Sequence, residues 1–225
     1  MTGSPVPGTP PPREPAPRVL KATMGPSTVD RTVPDRPVST FDLYELTAAR
    51  LDGCRGLILS LDCDQVFLSA RADLLADWVR AGGRVLVNGH VNRPFLPGLA
   101  PWRRLDHRGP RDLRITPVTP HPVWAGVDFD ELLYRTGVPG TPTGEELARV
   151  GVAGFYGRGY HGALPEDATV INGIGPYRLP IDISYPLGAG AVLAHAGNDL
   201  LSFSDHDRTT RHLGARLLDW LEGPR

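Results

Sequence analysis

Gly56-Leu57-Ile58-Leu59-Ser60-Leu61 and Arg84-Val85-Leu86-Val87-Asn88 are two nearly continuous apolar runs separated by a helix-like segment, and the fold follows from how they are joined. A strand covered on both faces has no polar side to show, so it reads as an unbroken apolar run rather than an alternating one. Between the runs, Ser69 is placed to cap a helix, Leu74, Leu75, Trp78 and Val79 form one apolar stripe, and Gly82-Gly83 ends it. A crossover of this length permits parallel pairing, which a tight hairpin does not. The unit over residues 55–91 is therefore strand, helix, strand, and it implies an α/β fold with an open, mostly parallel, doubly wound, flavodoxin-like sheet covered by helices on both faces.

The flanking sequence extends this unit. Arg18 to Met24 is a short β-prone run stopped by Gly25-Pro26, and Phe41 to Leu46 alternates apolar and polar residues as an edge strand would. Thr169-Val170-Ile171 before Asn172-Gly173, and Ala191 to His195 before Ala196-Gly197-Asn198-Asp199, read as later strand-to-loop transitions. Leu213, Leu217, Trp220 and Leu221 recur at helical spacing after Asp205-His206-Asp207, so a terminal helix closes over the sheet. Residues 94–162 are rich in Pro, Gly and Arg, with short β-like stretches such as Leu113-Arg114-Ile115, and are expected to form an irregular insertion. Residues 1–17 carry seven prolines, at 5, 7, 10, 11, 12, 15 and 17, a composition that cannot build a core and reads as a disordered tail. The expected organisation is that tail followed by one α/β domain over 18–225.

Composition narrows the function classes. With 24 Lys+Arg against 25 Asp+Glu the formal charge is −1, so no global field draws the chain to nucleic acid or an anionic membrane. The apolar runs fall far short of the roughly 20 residues that span a bilayer, and no basic stretch precedes an apolar leader. A cytoplasmic location is the expectation, with a small-molecule ligand or a protein partner and with self-association left open. The two cysteines, Cys54 and Cys63, have no disulfide or zinc-site spacing. No cofactor is legible.

Open parallel sheets place ligands beyond the carboxyl ends of their strands, where loops converge. That rule gathers Asp62, Cys63, Asp64 and Gln65 after one strand, Asn88, Gly89 and His90 after the next, Asn172-Gly173, and Asn198 with Asp199. His90, with Asp62 or Asp199 as the acid that orients it, would be the reactive set, and Cys63, Asp64, Gln65, Asn88, Gly89 and Asn198 would bind ligand. The same rim offers a metal reading through His90, Asp62 or Asp64, Asp199 and His206, although their spacing is not diagnostic. Asp62 and Asp64 flank Cys63 and should raise its pKa. His195, inside an apolar run, reads as a core histidine.

The Gly56 to Leu59 run before an acidic loop, the helix ending Trp78-Val79-Arg80-Ala81-Gly82-Gly83 before Arg84 to Val87, the segment His121-Pro122-Val123-Trp124-Ala125-Gly126, and the late Leu187-Gly188-Ala189-Gly190-Ala191-Val192-Leu193 stretch together resemble class I glutamine amidotransferase-like domains. Trehalose-utilisation-type members are the most similar in pattern. The resemblance covers about residues 41–91 and 186–222. Active members of that superfamily carry a cysteine nucleophile on a sharp turn after a central strand, with a histidine and an acid from a later one. The matching turn here is Asn88-Gly89-His90-Val91-Asn92, so His90 stands where the thiol would, and Ala196-Gly197-Asn198-Asp199 replaces the later His-Pro-Glu segment. An imidazole cannot substitute for a thiolate nucleophile. The resemblance thus implies a catalytically degenerate domain that binds a ligand or partner without hydrolysing glutamine. A hydrolase or isomerase of small polar or sugar-like substrates, and an interaction subunit using the tail and the arginines 103, 104, 108, 111 and 114, are the other expectations.

Overall fold

The computed structural model describes residues 18–25, 36, 38–135, 145, 149, 151–204 and 208–223. The expected tail and the Asp205-His206-Asp207 segment lie outside them. Strands β1 (Val19–Thr23), β2 (Ser39–Asp42), β3 (Gly56–Leu59) and β4 (Arg84–Asn88) are joined by helices α1 (Ala48–Leu51), α2 (Gln65–Ser69) and α3 (Ala72–Arg80). Short strands β5 (Trp102–Arg104), β6 (Ile115–Pro117), β7 (Tyr134–Arg135), β8 (Gly154–Phe155) and β9 (Gly159–His161) follow. The chain then forms β10 (Thr169–Ile174), β11 (Leu179–Leu187) and β12 (Gly190–His195) before the last helix, α4 (Leu213–Glu222).

Eight strands make the central sheet in the order β2-β1-β3-β4-β12-β11-β10-β6. The run from β2 to β12 is parallel, with Leu57 opposite Val85 and Leu193 opposite Leu86. From β12 outward the pairing turns antiparallel. The sheet is thus an open, mostly parallel, flavodoxin-like one, as the 55–91 unit implied.

Alternation sorts the side chains into two cores. Ile58, Leu86 and Leu193 point to the face covered by Leu213, Leu217, Leu218 and Leu221 of α4. Leu57, Leu59, Val85, Val87 and Val192 point to the other, covered by Leu75, Ala76 and Val79 of α3. Helices therefore shield both faces, which is why the central strands carry no exposed polar stripe.

Several local expectations shift. The crossover helix is broken: Asp64 caps α2 by accepting from the Val66 and Phe67 amides, whereas Ser69 is the last residue of α2 and donates to the Gln65 carbonyl at 2.6 Å. α3 starts at Ala72 without a side-chain cap. β2 is an edge strand, as read, but it stops at Asp42, whose carboxylate accepts from Tyr44 N and turns Leu43–Glu45 into a 3-10 turn. Asn172-Gly173 is not a loop after a strand; both residues lie within β10, at register shifts against β11. Among the described residues of the 94–162 region, β6 joins the main sheet at its edge and β5 pairs with β9. No helix among the described residues is long and apolar enough to cross a membrane.

Candidate functional site

The bend after β4 is built by Gly89, whose φ of 92° is open to glycine and strained for other residues. A Cβ there would stand 2.8 Å from the Leu61 Cα, so the loops after β3 and β4 touch through this glycine. Gly89 N donates to the His195 carbonyl at 3.0 Å, and Asn88, buried beneath the bend, donates through Nδ2 to Leu59 O and accepts from Leu200 N, each at 3.0 Å. Asn88 is a brace that ties β3, β4 and the segment after β12 together.

His90 rides on this bend, exposed on one side and stacked on Trp102 with ring centroids 4.0 Å apart. Burial against that ring, and next the nearness of His195, hold its pKa below the usual histidine value, so the neutral imidazole dominates near pH 7. Gln65 fixes the following residues: its Nε2 donates to His90 O at 2.7 Å, and its Oε1 accepts from Asn92 N and Arg93 N, both at 2.9 Å. Gln65 therefore shapes the loop that presents His90.

The remaining rim residues are placed as follows. Asp199 Oδ1 accepts from Leu61 N at 2.9 Å, which anchors the loop after β3; burial raises its pKa despite that bond. Asp62 is exposed and Asp64 is committed to capping α2, its pKa lowered by the amide hydrogen bonds. Asn198 Nδ2 donates to Phe155 O at 2.6 Å. Cys63 is buried, its thiol directed at Ala22 O at 3.5 Å and its pKa pushed up to about 12 by burial, with Asp62 adding to the shift. That thiol is not a nucleophile in this state. Loops from β3, β4 and β12 thus do converge, but no hydrogen bond joins the His90 ring to Asp62 or Asp199, so the oriented base of the hydrolase reading is not assembled here. Among the described residues no group of three or more His, Cys, Asp and Glu is arranged to hold a metal; His206 lies outside them.

A second polar cluster was missed in the sequence. Asp182 of β11 lies level with His195 of β12, which lies level with Asn88 of β4. Asp182 Oδ1 receives His195 Nδ1 at 2.6 Å, and Oδ2 accepts from Tyr156 Oη and Asn172 Nδ2, both at 2.8 Å. Trp124 Nε1 donates to the same tyrosine oxygen at 3.1 Å. Burial drives the Tyr156 pKa far upward, with the Asp182 charge adding to it, so the phenol keeps its proton and remains a donor. His195 is buried as expected but half satisfied: Nε2 is enclosed without a partner. A charged residue between Ile181 and Ile183 was the sequence signal for this cluster.

No family model matches the sequence, and no curated protein does. Among solved structures the chain is similar to a cytoplasmic protein from Salmonella typhimurium, with a TM-score of 0.52 at 15% identity over 83% of this chain and 82% of that one. It is also similar to a β-galactosidase from Rahnella sp. R3, with a TM-score of 0.53 at 13% identity over 92% of this chain, which spans 32% of that enzyme's length. At these identities the likeness is one of fold.

Proposed function

We propose that this chain is a catalytically degenerate glutamine amidotransferase-like domain, with trehalose-utilisation-type members the most similar in sequence pattern, and that it binds a small ligand at the rim presenting His90. One observation carries the reading. The tight bend after β4, the place where active members hold their thiol, bears a neutral imidazole stacked on Trp102, while the sulfur of Cys63 is buried with its pKa near 12. A protein partner contacting the same bend is the other form of this binding role.

The neutral His90 ring offers one donor and one acceptor, and Gln65 holds its loop without occupying the ring. This suits recognition of a small polar molecule. The test has two arms. Purified protein incubated with glutamine should release no ammonia above the uncatalysed rate; steady turnover would overturn the reading. A thermal-shift screen over amides and sugars should find a stabilising compound whose effect is lost in His90→Ala, a variant that keeps the wild-type melting temperature within a few degrees.

A further inference from the structure

On the antiparallel side of the sheet, away from His90, a cavity of about 560 Å³ opens between β6, β10 and the turn that follows β6. That volume falls within the range of small-molecule sites, roughly 300–1,000 Å³. Its walls include Pro117, Pro120, Trp124 and Phe129, and among the described residues no Lys, Arg, Asp or Glu lines it. Rigid rings around an uncharged space favour a neutral, flat occupant, since burying an ion there would leave it unpaired.

Two polar groups in the lining are oriented before anything binds. His121 accepts the Val123 amide on Nδ1 at 3.3 Å, and its ring meets Trp124 edge-on with centroids 5.4 Å apart. Burial lowers its pKa, so near pH 7 the ring is neutral and carries its proton on Nε2, a donor. Asn172, 1% exposed, is tied through Nδ2 to Asp182 at 2.8 Å and cannot rotate freely. Asn172 and Trp124 are the members of the buried Asp182 cluster that line the pocket, so a polar side chain held by the core stands at a mostly apolar wall. Few, fixed polar groups among apolar walls are what orients a ligand.

We propose that this pocket binds a small neutral molecule bearing a flat ring and a carbonyl-type acceptor, the ring lying among the prolines and aromatic side chains and the acceptor taking the hydrogen bond of His121. The site lies apart from the His90 bend and goes beyond the role assigned to that bend.

Benzamide is the probe, and benzylamine, which has the ring but a charged donor in place of the acceptor, is the control. Two-dimensional amide spectra of the full chain should show saturable shifts at Thr119, His121, Phe129 and the Asn172 side chain with benzamide, and benzylamine should bind at least about tenfold more weakly. His121→Ala should weaken benzamide by up to about tenfold. Thr119→Trp should abolish the shifts by filling the pocket, and Ala125→Trp, on an exposed turn, serves if that variant misfolds. His90→Ala should leave them unchanged. Absence of saturable shifts, equal binding of the two probes, or full binding by a folded pocket-filling variant overturns the proposal.

Discussion

His195 Nδ1 lies 2.6 Å from Asp182 Oδ1, with both side chains fully enclosed between neighbouring strands of the sheet. A buried carboxylate is tolerable only when its acceptor capacity is met, and here His195, Tyr156 and Asn172 meet it. Removing the carboxylate therefore strands three polar groups at once.

Asp182→Ala should destabilise the protein by about 3–5 kcal/mol, the cost typical of breaking a buried charged cluster. Urea denaturation monitored by tryptophan fluorescence measures it. A loss below about 1 kcal/mol would show that the cluster is energetically idle.

Cys63 should be inert in the native state. With its pKa near 12, only about one thiol in ten thousand is ionised at pH 8, and burial blocks access as well. An aromatic disulfide reagent followed by peptide mass spectrometry should leave Cys63 unmodified in the folded protein and label it after denaturation. Rapid native labelling would contradict the buried placement.

His161 supplies a pH signature. Burial lowers its pKa from 6.5 to about 4 in the folded chain, while Nε2 bonds Ala194 O at 3.1 Å. The unfolded chain takes up the proton first as pH falls, so the contribution is intact above about pH 6.5 and is lost progressively down to about pH 4. Its full extent is about 3 kcal/mol, from 1.36 kcal/mol per unit. Comparing urea midpoints of wild type and His161→Gln across pH 7.5 to 4.5 should show a shallower decline in the variant. Parallel declines would rule the histidine out as a source.

Gln65→Ala should loosen the loop that carries His90 without unfolding the sheet. It deletes the bonds to His90 O, Asn92 N and Arg93 N, at a cost of about 1–2 kcal/mol. Hydrogen exchange at the Asn92 and Arg93 amides should accelerate at least tenfold while the β4 amides remain protected. Unchanged exchange would mean that the loop is held by its backbone alone.

Much of the scaffold was legible. Gly56 to Leu61 and Arg84 to Asn88 announced covered parallel strands because continuous apolarity is costly anywhere else, and the stripe of Leu74, Leu75, Trp78 and Val79 announced the helix over them. The convergence of the Asp62, Asn88 and Asp199 loops followed from that topology. Other details were decided by local competition: Asp64, not Ser69, captured the free amides at the start of the crossover, and Asp42 did the same for Tyr44. β11 escaped notice because Pro180, Asp182 and Pro186 interrupt its apolar pattern, and Tyr156 sat in a segment with no periodicity to read.

Sequence alone determined the kind of sheet, the helices that shield it and the imidazole on the bend after β4, because side-chain periodicity and turn chemistry are properties of a few neighbouring residues. Tertiary structure alone decided that Asp182 bonds His195 13 positions away and Tyr156 26 positions away, and that Trp124 reaches Tyr156 across 32. The reason is physical: a polar group in an apolar run is costly until a partner arrives, and which distant partner arrives is set by strand order and register, quantities that no local window of sequence contains.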